Sequence, residues 1–139
     1  MKKTTRRTAL AGLGLAILGA SLAMGGGLAL AALLWSPTSL SIGQGDHRWI
    51  LQQAANWTED GYTDWRLPTP DEFVAGVNNG SIAPLLPSAN ASYWTSRKKG
   101  SWGYSVKVRT DANGIPDPAT VQINRDFWNA GRYAKFVRP

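Results

Sequence analysis

Cysteine is absent from the 139-residue chain, and histidine occurs once, at His47. The first absence removes disulfides, thiolate nucleophiles and thiolate-based zinc sites. The second removes His-rich metal clusters and leaves little room for triad chemistry. Charge is sparse at 17%, and the adjacent carboxylates fall at a helix break, Glu59-Asp60, and at a helix cap, Asp71-Glu72. No cofactor, no metal and no catalytic activity are therefore expected. What is present instead is tryptophan: seven in a chain with room for one small domain.

The net charge of +6 is concentrated at one end. Lys2, Lys3, Arg6 and Arg7 precede an uncharged apolar run from Thr8 to Trp35, and the rest of the chain is close to balanced. A nucleic-acid binder carries its basic face on the folded part, so no nucleic acid is expected as a partner. Basic residues followed by a long apolar run predict a membrane segment with the C-terminal part delivered outside. Residues 1–35 read as a signal anchor or as a cleaved signal peptide. Gly12, Ala16 and Ala20 form a small-residue stripe that suits an anchoring helix and a homo-oligomer. Gly25-Gly26-Gly27 and the small-x-small triplets Ser21-Leu22-Ala23 and Ala29-Leu30-Ala31 suit cleavage. The predicted location is the bacterial envelope, anchored in the inner membrane with the C-terminal part outside the cytoplasm, or secreted or periplasmic if cut.

All aromatic residues and all eight prolines lie at or beyond Trp35. Residues 36–45 (SPTSLSIGQG) read as a Ser/Gly/Pro-rich linker, with Leu33–Trp35 as a candidate added strand, and residues 46–139 as the folded domain. Asp46 caps a predicted helix that ends near Trp57, with Ile50, Ala54 and Trp57 on one face. Thr69, Pro70 and Glu72 form a capping box with proline at the first helical position, ahead of Phe73, Val74 and Val77. Asp71 and Glu72 are thus explained by the helix end rather than by acid–base work. Residues 81–91 read as a loop. Tyr93–Ser96 is a short strand, Arg97–Ser101 a turn, and Trp102–Arg109 an alternating strand. Val121 and Ile123 mark another strand, Arg125–Gly131 a turn, and Tyr133–Arg138 the last strand. Helix, helix, then meander is an α+β order.

Gly61-Tyr62-Thr63-Asp64-Trp65-Arg66-Leu67-Pro68-Thr69, followed by Asp71-Glu72-Phe73, resembles the signature of the Lcl C-terminal domain family, named for a Legionella collagen-like adhesin. Tyr93-Trp94-Thr95-Ser96 and Phe136-Val137-Arg138 resemble that family's Tyr-Trp-Ser-Ser and terminal Val-Arg strands. The resemblance spans about residues 47–139. It implies a C-type-lectin-like fold, two helices packed on a twisted antiparallel sheet, here preceded by an N-terminal hydrophobic helix. Formylglycine-generating-enzyme-like domains share part of the motif, but their catalysis needs cysteines that this chain lacks. The Glu-Pro-Asn and Gln-Pro-Asp motifs of calcium-dependent lectins are also missing. The resemblance implies a non-catalytic domain that binds surface ligands, sulfated glycans among them.

Two clusters fit such a ligand. Arg97, Lys98 and Lys99 adjoin Trp102 and Tyr104, which supplies cations for sulfate or carboxylate and faces for sugar rings. The second is the polar and aromatic segment Arg125–Tyr133, in which Trp128 and Arg132, with Phe127, suit a binding loop. The plainer alternative packs these aromatics in the core and leaves the cations solvated. Lys107 and Arg109 form a further basic stripe if their face is open. The expected partners are an anionic glycan or a surface protein, with the membrane reached through residues 8–35. A structural subunit of an envelope assembly is the alternative function.

Overall fold

Both helices begin at their capping residues. In the structure, a computed structural model that describes residues 33–139, helix α1 spans His47–Asn56 and Asp46 accepts the Trp49 N–H at 2.7 Å. Helix α2 spans Pro70–Asn79. Thr69 Oγ1 accepts the Glu72 N–H, and the Glu72 carboxylate accepts the Thr69 N–H, so the capping box is complete. Gly80 closes α2 in the left-handed conformation, which a residue without a Cβ adopts freely.

The strands are β1 (Leu34–Trp35), β2 (Asn90–Lys99), β3 (Trp102–Arg109), β4 (Gln122–Phe127) and β5 (Val137–Arg138). The fold is α+β, with two helices and antiparallel sheets. Strands β2, β3 and β4 form a meander, and β1 pairs with β5 in a separate two-stranded sheet. The chain from Leu34 to Pro139 is one unit.

Several boundaries differ from the sequence-based expectation. The candidate strand at Leu33–Trp35 is present over Leu34–Trp35, which pair with Arg138 and Val137 inside the fold. Residues 36–45 are not a free linker. Ser36 and Ser39 are fully buried, the Ser36 N–H donates to Phe136 O at 2.9 Å, and Ser39 Oγ accepts the Phe136 N–H at 3.1 Å. Glu59 accepts hydrogen bonds from the Ser36 and Thr38 hydroxyls and from Trp57 Nε1. Short polar side chains here satisfy buried backbone groups, so a linker-like composition serves a packed segment. Residues 1–32, which carry the expected membrane segment, lie outside the described residues. Among the described residues, no helix is long and apolar enough to cross a membrane.

The expected turn at Arg97–Ser101 shrinks to Gly100–Ser101, because β2 continues through Lys99. Gly100 supplies the positive φ (58°) at the first turn position, and Lys99 pairs with Trp102. A register shift separates Trp94 from Lys98. Asn90 and Ala91, expected in a loop, open β2, and Arg125–Phe127, expected in a turn, extend β4. Conversely, the last strand is only Val137–Arg138, with Tyr133 forming an isolated bridge to Tyr93. Ile50, Ala54, Trp65, Leu67, Trp94 and Phe136 build one core between α1 and the meander.

Candidate functional site

Strand β3 alternates as expected, but in its first half the inward residues are the small ones. Gly103 and Ser105 are buried, whereas Trp102 and Tyr104 are half-buried on the other face. The reason is the pair of rings beneath Gly103. Trp94 and His47 meet edge to face at 4.9 Å, and a Cβ on Gly103 would lie 2.7 Å from Trp94 and 3.1 Å from His47. His47 Nε2–H donates to Thr95 O at 2.8 Å. Burial lowers the His47 pKa, and Lys98 adds to this. The Thr95 hydrogen bond and Asp46 oppose it. A histidine held neutral this way is a packing element beside the site.

Further along the strand, Val106 and Val108 are buried. Trp102 and Tyr104 lie beyond that covered stretch. Trp102 stacks on its cross-strand partner Phe127 at 4.2 Å with the planes 13° apart. Arg125, paired with Tyr104 in the ladder, sits over the Trp102 ring at 5.2 Å. Arg97 covers Tyr104 at 4.6 Å. Arg48, in the first turn of α1, lies over Trp128 at 4.1 Å. Trp128 is held there from both sides: its carbonyl accepts the His47 N–H at 2.7 Å, and its N–H donates to Ser101 O at 3.0 Å. Arg48, Lys98, Trp102 and Trp128 line a cleft of about 100 Å³.

The structure thus brings Arg97, Lys98, Trp102, Tyr104 and Trp128 to one end of the sheet, with Lys99 paired to Trp102. Arg132 does not join them. Its Nε donates to Asp126 Oδ2 at 3.2 Å, and it lines a separate polar cleft of about 430 Å³ with Lys107. Asp126 also accepts Ser105 Oγ–H at 2.8 Å, which turns this carboxylate away from the aromatic face. Lys107 and Arg109 fall on opposite sides of exposure, half-buried and exposed, and make no open stripe.

Arg48 carried no signal in the sequence, and Arg125 was expected only as the start of the second segment; helix placement and cross-strand register bring them to the rings. Among the described residues, the ion pairs are Arg66–Glu72, Arg132–Asp126 and Arg138–Asp64. Arg48, Arg97, Lys98, Lys99 and Arg125 belong to none of them. Among the described residues, no cluster of three His, Asp or Glu could hold a metal ion. No protein-family model, curated protein or solved structure matches the chain.

Proposed function

We propose that residues 34–139 form a non-catalytic binding domain for an anionic glycan, displayed outside the bacterial inner membrane by the segment that precedes it. The observation that carries this reading is the layering of Arg97 on Tyr104, Arg125 on Trp102 and Arg48 on Trp128 at one sheet end. A guanidinium held over a ring still has N–H groups to offer sulfate or carboxylate oxygens. The stacked and half-open Trp102–Phe127 pair offers an apolar face to a sugar ring. The resemblance to the Lcl C-terminal domain family supports the same class of ligand. The pairing of the first and last strands, with two helices beside an antiparallel meander, is compatible with a C-type-lectin-like fold.

Retention of the full chain on a heparin column tests the reading. Charge-assisted binding weakens with salt. The wild-type chain should elute at a salt concentration that drops markedly in an Arg97→Ala/Lys98→Ala variant and in Trp102→Ala. Unchanged elution in both variants defeats it. Salt-insensitive self-association without retention favours the envelope-subunit alternative.

A further inference from the structure

Among the described residues, nothing pairs with the outer edge of strand β4, which ends the meander, whereas the opposite edge is closed. On β2, the Trp94 N–H donates to Tyr133 O, the Tyr133 N–H donates to Ser92 O, and the Ser96 N–H donates to Pro68 O. These bonds also set the phase of the sheet. Because Trp94 points its backbone away from β3, its partner Ser105 points its own toward β4. Asn124, opposite Ser105, therefore bonds inward. The alternation leaves the N–H and C=O groups of Ile123 and Arg125 projecting from the open edge. Among the described residues, neither finds another hydrogen-bond partner.

The side chains follow the same alternation. Ile123, Arg125 and Phe127 are exposed, and Asn124 and Asp126 are half-buried. Ile123 and Phe127 leave 51% and 54% of their surface open. Arg125 has no carboxylate partner among the described residues. Edge strands are usually blunted by charge, proline or a bulge, and the exposed face of this one carries a single charge between two apolar residues.

We infer that β4 is a strand-addition site for an extended segment of a partner protein with the pattern apolar–x–acidic–x–apolar. The incoming backbone would bond to Ile123 and Arg125. Its acidic residue would face Arg125, and its apolar residues would face Ile123 and Phe127. A second copy of this chain fits less well. The two-fold register that sets Ile123 against Phe127 also sets Arg125 against itself, and like charges directly opposite are destabilising. This site goes beyond the glycan reading and does not rest on it.

The probe is a labelled, end-capped Val-Thr-Glu-Thr-Val peptide, which presents the same pattern in either direction, titrated into the full chain by fluorescence anisotropy. Saturable binding is expected, weakened at least about tenfold by Ile123→Pro, because that residue's N–H faces outward and its loss spares the internal ladder. A peptide with Lys in place of Glu should bind poorly to the wild-type chain and recover on Arg125→Glu. The inference is overturned by an absence of saturable binding, by equal binding to Ile123→Pro, or by a failure of the charge exchange to restore affinity. It is also overturned if Ile123→Pro converts a dimer to a monomer without altering peptide binding. Heparin retention of Ile123→Pro should remain that of the wild type, which separates this test from that of the glycan site.

Discussion

Arg66 grips Glu72 with two parallel hydrogen bonds, Nη1 to Oε1 at 2.8 Å and Nη2 to Oε2 at 2.9 Å. The same carboxylate accepts the Thr69 N–H at 2.9 Å. One side chain therefore closes the start of α2 and ties it to the strand-like segment at Arg66, which bridges Val137.

Glu72→Ala should cost about 1–2 kcal/mol, the size of a lost helix cap. Arg66→Ala should cost less, under about 1 kcal/mol, because its side chain is 43% exposed and the pair is partly screened. The Arg66 hydrogen bond is the main cause that holds the Glu72 pKa below its ordinary 4.5, against burial. A depressed carboxylate stabilises above its unfolded pKa and loses that contribution as pH falls through the folded one. Glu59 acts in the same window. Burial raises its pKa, but hydrogen bonds from Ser36, Thr38 and Trp57 lower it further, so the net shift is downward. Denaturant titrations should show stability falling below about pH 4.5, with a shallower fall in Glu72→Gln.

Lys135 behaves in the opposite way. Its side chain is buried, and Nζ donates to Pro84 O at 2.9 Å. Burial pushes its pKa from 10.5 down to about 8, with the charge of Glu59 opposing. Between these values the unfolded chain holds a proton that the folded protein has shed, so stability rises with pH through this window. The slope should be at most about 1 kcal/mol per pH unit, and Lys135→Met should flatten it. Tyr93 limits the scan. Burial lifts its pKa to about 12 from 10.0, so stability falls again above pH 10 as the unfolded tyrosine ionises first.

Gly103→Ala should destabilise by about 1–3 kcal/mol, because a Cβ there forces the buried Trp94 and His47 rings to move. Near-ultraviolet dichroism, which reports the Trp94 environment, should change together with the midpoint of unfolding. A neutral substitution would mean that the two rings have room to spare.

Trp35→Ala tests whether the segment before α1 belongs to the fold. Trp35 is buried and meets Phe73 edge to face at 6.3 Å. The loss should be about 3–5 kcal/mol, as for other large core truncations. An unfolding midpoint equal to that of the wild type would return residues 34–45 to the role of a tether.

Local chemistry was the legible part of this sequence. Asp46, Thr69 and Glu72 act through hydrogen bonds within a few residues, Pro70 and Gly80 through their backbone conformation, and together they mark both helices closely. The alternation in Trp102–Arg109 was legible as a strand, but not which face was inward. Hydrophobicity favours burying Trp102, while the Trp94 and His47 rings need the space over Gly103. Pairings distant in sequence were hidden. Nothing near Ser36 or Ser39 announces Phe136, and nothing near Arg48 announces Trp128. The basic run at Arg97–Lys99 was found as a cluster because its charges are adjacent. Arg125 joins it only through the β3–β4 register, and Arg132 leaves it for Asp126.

The pairing of Leu34 with Arg138 and Trp35 with Val137 also governs how this unit bears load. A pull between its two ends acts on this short ribbon in a zipper geometry, breaking its bonds one after another, before tension reaches the three-stranded meander. Load at the two ends therefore parts this ribbon first and leaves the aromatic end of the sheet its shape.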